Sequence, residues 1–143
     1  ILLDLQNELQ KTIVFITHDL DEALRIGDAI AILRDGELIQ KGTPQSIVLE
    51  PADDYVADFT KDVNRARVLT LSTLSHDSGA KKGLPLDSDL SIEEAMQEMI
   101  VSDHNLVTVM KEGKSIGQVS LNDMVAAIAK PKTTETGASN AYR

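Results

Sequence analysis

The sequence predicts an α/β fold in two parts. The first is a helix–strand–helix arrangement whose strand is covered on both faces, and the second is a small α+β unit of order β-α-β-β-α. Three observations carry this. Residues 12–16, Thr-Ile-Val-Phe-Ile, are an uncharged run of β-branched and aromatic side chains, the composition of a strand in a parallel sheet with helices either side. Asp35-Gly36 lies between two apolar runs, the strongest short signal for a hairpin. From Leu84 onward, apolar residues switch between strand and helix spacing three times before Pro131.

In chain order, residues 1–11 place Leu2, Leu5 and Glu8/Leu9 at three- and four-residue steps, an amphipathic helix leading into the strand at 12–16. Thr17-His18-Asp19 closes that strand. Asp19 stands three residues before Glu22, the spacing of a capping box, and Gly27 supplies the stop. Residues 29–33 are a second strand, with Leu38-Ile39 as its hairpin partner. Gly42-Thr43-Pro44 starts a helix with Thr as cap and Pro at its first position. Pro51 breaks that helix, and 53–60 forms another with Tyr55, Val56 and Phe59 on one side.

The charges of 62–67 lack periodicity and mark a linker. Residues 68–74 are expected as a short strand and turn, and 76–83 as a flexible polar loop. Ser91 and Glu94 form a second capping box, after which Ile92, Ala95, Met96, Met99 and Ile100 mark one helical face. Residues 106–110 are a strand, 111–114 (KEGK) a turn and 116–119 the returning strand. Leu121, Met124, Val125 and Ile128 set a last helix on the same core. Pro131 ends it, and the polar tail is expected to be disordered. The resulting division is 1–65, a linker at 66–83, a second unit at 84–130 and a tail at 131–143.

Composition bounds the function. A length of 143 residues allows one ordinary domain or two small ones. With 42% hydrophobic residues but 3% aromatic and no Trp, aliphatic packing must carry the burial. A formal net charge of -9 argues against nucleic acid, which needs a basic face, and is the mark of a solvated acidic surface. The absence of cysteine excludes disulfides and thiolate metal sites and fits a reducing compartment. No apolar run approaches the ~20 residues of a membrane-spanning helix, and no signal peptide is visible. The chain begins with Ile1 inside an apparent helix, as expected of an excerpt from a longer protein.

The order strand, Thr-His-Asp, acidic-led helix, strand, Asp-Gly hairpin, Gly-Thr-Pro resembles the last third of an ABC-transporter ATPase domain. Leu20-Asp21-Glu22-Ala23-Leu24-Arg25-Ile26-Gly27-Asp28, then Glu50-Pro51-Ala52-Asp53-Asp54-Tyr55-Val56 and Asp58-Phe59, are most similar to ATP-binding subunits of glycine betaine/proline importers. The resemblance covers residues 1–65, and many positions agree in order. Residues 84–129 resemble a CBS repeat, most tellingly in the Gly-x-Val-Ser-x-x-Asp string, Gly117 to Asp123. Such repeats normally pair, and a single convincing copy is present here. Betaine-importer ATPases commonly carry CBS repeats after the ATPase domain, so the two resemblances support each other.

The resemblance implies that His18 is the family's switch histidine, sensing the γ-phosphate of ATP and orienting the attacking water. A neutral imidazole where a strand meets a helix can donate one hydrogen bond and accept another. On spacing alone, a histidine that merely ends a strand is the plainer reading. Asp19 and Glu22 are capping residues. Gly117, Ser120 and Asp123 resemble CBS residues that hold the ribose or phosphate of an adenine nucleotide, yet Ser-x-x-Asp before an apolar helix is itself a helix start. His76 and His104 stand as surface residues, and Met96, Met99, Met110 and Met124 as core.

The implied whole is the ATP-hydrolysing subunit of an osmoprotectant importer, using ATP and Mg²⁺ and carrying a regulatory CBS-like domain. Its partners would be a second copy of the subunit, a membrane permease and, indirectly, a substrate-binding protein, at the cytoplasmic face of the cell membrane. The alternative is a free-standing regulatory module that binds an adenine nucleotide or senses ionic strength without catalysis. No Gly-x-x-x-x-Gly-Lys-[Ser/Thr] loop occurs in these residues, and no magnesium-binding aspartate, catalytic glutamate or signature motif is recognisable. Phosphoryl transfer rests on positioning by those parts. The 143-residue chain is therefore expected to show no magnesium-dependent ATP turnover, as a phosphate-release assay on a pure sample would establish.

Overall fold

The computed structural model describes residues 2–77 and 82–129. The chain opens with α1 (Leu2–Leu9), whose Leu5 and Leu9 are about half exposed. The apolar run 12–16 then follows without strand pairing: neither sheet includes it, and Val14 and Ile16 are 86% and 91% exposed. Against the expectation of a strand covered on both faces, the run stands unpaired and uncovered within the described residues. A strand needs a neighbour to take its N–H and C=O groups, and none stands beside this run among the described residues.

Past that run the first unit assembles as its sequence directs. Asp19 caps α2 (Leu20–Ile26). The strands β1 (Ile30–Arg34) and β2 (Glu37–Gly42) pair as an antiparallel hairpin with one register shift between Ile32 and Leu33. Ile30 and Ile32 point into the core, while Leu33 on the other face is 57% exposed. Thr43 accepts from the Ser46 N–H to cap α3 (Pro44–Leu49), with Pro at its start, where a missing N–H costs nothing. Asp53 caps α4 (Asp54–Thr60). Leu24, Ile30, Ile32, Ile47, Val48 and Val56 form the first core cluster.

The stretch expected as linker and short strand is instead helical and partly buried. Asn64 Oδ1 accepts from the Ala66 N–H at 3.1 Å to cap α5 (Arg65–Val68), and α6 (Leu71–Leu74) follows. Leu69 and Leu71 are completely buried in the second cluster. Their segment is fastened by backbone: Leu71 N–H donates to Leu90 O, Ser72 N–H to Ser88 O, and Ile92 N–H to Leu69 O, each at 2.9 Å. Strand-like pairing survives there as single bridges, Thr70 with Ser91 and His76 with Gln118.

The second unit has the expected order: β3 (Leu84–Asp87), α7 (Ile92–Val101), β4 (Leu106–Lys111), β5 (Lys114–Ser120) and α8 (Leu121–Ile128). β3 and β4 run parallel, as the α7 crossover between them permits, and β5 returns antiparallel to give the order β3-β4-β5. Ile92, Ala95 and Met99 of α7 join Val107, Val109, Val119 and Met124 in the core. Ile100 and Val125, expected on the buried faces, are 75% and 52% exposed. Residues 92, 95 and 99 already complete the contact stripe of a helix covering one side of a narrow sheet. The disordered tail expected at 131–143, and residues 78–81 of the polar loop, lie outside the described residues.

Both hairpins turn on two residues with positive φ, Asp35-Gly36 (51° and 81°) and Glu112-Gly113 (50° and 76°), the signs of a type I′ turn. Gly117 is different. Its φ is +155°, and a Cβ there would meet the His76 carbonyl oxygen at 2.9 Å and that residue's C and N at 3.2 Å. Around Gly113 there is nothing within 4 Å. Gly113→Ala should therefore cost only the backbone strain, about 1–2 kcal/mol. Gly117→Ala should cost clearly more, because strain and collision add. Chemical denaturation of the two variants, with both midpoints and slopes compared, checks the order.

Candidate nucleotide-responsive site

The segment 17–22 builds its own scaffold. Asp19 Oδ1 accepts from the Glu22 N–H at 3.1 Å, the expected half of a capping box. The other half is rerouted through Thr17, whose Oγ1 accepts from the Asp19 N–H and donates to Glu22 Oε2, both at 3.0 Å. A hydroxyl can do both at once, so three side chains are tied into one closed network around a single backbone turn. His18 sits between two of them and is itself exposed. Its backbone is thus bracketed while its imidazole is available to an incoming group.

A shallow recess of about 320 Å³ opens at this point, lined by His18, Asp19, Leu20 and Asp21 on one side and by Phe59, Asp62 and Val63 on the other. The second wall is the end of α4 and the residues just after it. Phe59 stacks on Tyr55 (centroids 6.0 Å apart, planes within 6°), and the Arg34 guanidinium lies 5.0 Å over the Tyr55 ring. That column connects the β1 hairpin end to the recess. α4 is held by the buried Val56 and by the Thr60 hydroxyl, which donates to Val56 O at 3.0 Å. The Gln40 side chain pins the loop before it, donating to Glu50 O at 2.9 Å and accepting from the Ala52 N–H at 2.8 Å.

The periodicity of 53–60 places Phe59 beside Tyr55 and Val56, but nothing in the sequence signals that it faces His18. Asp62 and Val63 fall in a stretch without periodicity and carried no signal at all. No group of three or more His, Cys, Asp or Glu side chains is arranged to hold a metal ion among the described residues.

The structure places Gly117, Ser120 and Asp123 together at the end of β5 and the start of α8. Ser120 Oγ accepts from the Asp123 N–H at 3.1 Å, and Asp123 Oδ2 accepts from the Ser120 N–H at 2.8 Å and from its hydroxyl at 2.7 Å. This is a complete capping box, matched at the head of α7 by Ser91 and Glu94. The close approach that Gly117 permits is taken by the His76 backbone, whose N–H and carbonyl pair with Gln118 at 3.3 and 3.0 Å. His18 and the Ser120–Asp123 pair therefore lie in different units, one at the entrance to α2 and the other at the entrance to α8.

The Ser120 hydroxyl and N–H, chiefly, hold the Asp123 carboxyl below its ordinary value of 3.8, with His76 adding in the same sense. Glu94 is lowered likewise by the Ser91 side chain and backbone. A depressed folded-state pKa gives stability that is present above the unfolded value and lost as pH falls through the folded one. Asp123→Ala should lower stability by about 0.5–2 kcal/mol, the cost of a lost cap. Asp123→Asn should recover part of this near neutral pH, because its amide oxygen still accepts from the Ser120 N–H. It should also flatten the loss of stability below the ordinary carboxylate range, which denaturant melts across acid pH would show.

In sequence, the chain is similar to transport ATP-binding proteins. The glycine betaine/carnitine transport ATP-binding protein GbuA of Listeria monocytogenes is 58% identical over 73 residues, 51% of this chain and 18% of that protein. The trimethylamine N-oxide transport system ATP-binding protein TmoW of Ruegeria pomeroyi is 40% identical over 115 residues, 80% of this chain and 34% of that protein. The glycine betaine/proline betaine transport system ATP-binding protein ProV of Salmonella typhimurium is 38% identical over 137 residues, 94% of this chain and 34% of its own. The chain thus spans at most about a third of the length of these relatives. No family model matches it.

Proposed function

Since this chain belongs to the ABC-transporter ATP-binding subunits of the glycine betaine, carnitine and proline betaine type, we propose that it is the C-terminal part of such a subunit. The whole would hydrolyse ATP, with Mg²⁺, to drive import of a quaternary-amine osmoprotectant. The observation that carries the reading is His18. It stands exposed at the mouth of a recess, with Thr17, Asp19 and Glu22 tying down the backbone on either side of it.

In this reading the uncovered run 12–16 is a strand whose neighbours belong to the rest of the subunit. His18, at its end, reaches the γ-phosphate held by phosphate-binding elements elsewhere in that subunit. Its imidazole donates to a phosphate oxygen or accepts from the attacking water, acting on the transition state more than on the bound nucleotide. Residues 1–65 complete the ATPase domain, and 84–130 act as a CBS-like regulatory unit with Gly117, Ser120 and Asp123 at its nucleotide-facing corner. The subunit works as a pair of copies on a membrane permease fed by a substrate-binding protein. That assembly stands at the cytoplasmic face of the membrane. No helix among the described residues is long and apolar enough to cross a membrane, which fits attachment through the permease.

In the assembled transporter, His18→Ala is expected to lower transport-coupled ATP hydrolysis about a hundredfold or more while leaving ATP binding largely in place. Turnover and nucleotide affinity measured on the same reconstituted sample test this together. Unchanged turnover would make His18 a structural residue.

A further inference from the structure

The recess wall formed by Asp62 and Val63 runs directly into α5, and α5 is gripped from both units. Arg65 carries the grip. Its guanidinium donates through Nη2 to Val48 O at 3.4 Å, in the last turn of α3, and through Nη1 to Ala127 O at 3.5 Å, in the last turn of α8. Carbonyls at helix ends lack intrahelical partners and carry the negative end of the helix dipole, so one cation answers two helices at once. A planar guanidinium can do this because its donors diverge at fixed angles.

Neighbouring residues repeat the pattern. Gln45 Nε2 of α3 donates to Val68 O at 3.1 Å, and Arg67 Nε pairs with Glu93 Oε2 of α7 at 3.0 Å. Val63 and Val68 pack on the first cluster, whereas Leu69 is buried in the second. The segment thus passes from the first core, through Val63 and Val68, to the second at Leu69, with the His18 recess at one end and the second unit at the other.

We propose that residues 62–69 are a strut through which the second unit sets the position of the Asp62–Val63 wall opposite His18, with Arg65 as its clasp. A shift of α8 would pull on Arg65, and through it on the residues three and two positions earlier that line the recess. The proposal rests on the reading of the recess as the functional site only for its consequence. The mechanical link itself can be measured without any nucleotide.

The test is hydrogen exchange on the full chain, comparing the native protein with Arg65→Ala and Arg65→Lys. Losing charge-assisted bonds in Arg65→Ala should speed exchange about tenfold at 60–64 and 19–23, as well as at 125–129, with β4 unchanged. Arg65→Lys keeps the charge but lacks the divergent donors, so it should show an intermediate effect at the same places. Faster exchange confined to 45–50 and 125–129 would overturn the strut and leave Arg65 as a local helix cap. Should Arg65→Ala also lose protection in β4, the same criteria applied to Arg65→Lys decide. In the assembled transporter, Arg65→Ala should then change ATP turnover at unchanged ATP affinity. If His18→Ala leaves turnover intact while exchange at 60–64 responds to Arg65, the functional reading fails and the strut stands.

Discussion

Two leucines hold the second unit together across a gap in sequence. Leu69 and Leu71 enter its core from a segment that precedes the first strand by more than ten residues, and three backbone hydrogen bonds to 88–92 keep them there. A three-stranded sheet with two helices on it buries little surface, so an extra pair of fully buried leucines is a large share of what such a unit can draw on. The same segment leaves the first unit only at Val68, which packs on the other core. Connection and core are therefore the same residues, and neither unit can be trimmed at that point without exposing apolar surface.

What was legible in the sequence was local. Asp19, Thr43-Pro44 and Ser91/Glu94 announced helix starts through caps whose chemistry needs only three or four neighbouring residues, and each cap forms. The Asp35-Gly36 hairpin and the β-α-β-β-α order were legible for the same reason, since turn chemistry and hydrophobic period are short-range. What was not legible depends on distant partners. Residues 12–16 have the composition of a central strand, but composition does not provide the neighbouring strands. The segment 65–74 forms α5 and α6 because Asn64 caps the first and because the second core takes Leu69 and Leu71. No periodicity of its own foretold either.

At the candidate site the same division holds. His18 was found because a string of residues around it resembles a known ATPase, and the capping role of Asp19 followed from spacing. The rerouting of Glu22 through the Thr17 hydroxyl could not be seen, since it depends on which of two nearby acceptors and donors meet in space. Phe59, Asp62 and Val63 come to His18 through tertiary packing, α2 and α4 each giving a residue to the first core cluster. The Ser120 hydroxyl and N–H and one Asp123 carboxylate oxygen, Oδ2, are already engaged within the helix start. A ligand drawing on the Ser120 hydroxyl or on Oδ2 would have to compete with bonds already made.

The hairpin tip at Glu112-Gly113 has a practical corollary. It projects from the β4–β5 ladder, both of its residues are exposed, and nothing approaches the glycine within 4 Å. Exposed tips of this kind accept inserted sequence better than any other part of a small domain. A fluorophore or epitope grafted there would ride on the rigid sheet of the second unit without touching either core. It would give an optical handle on that unit's orientation inside an intact membrane assembly.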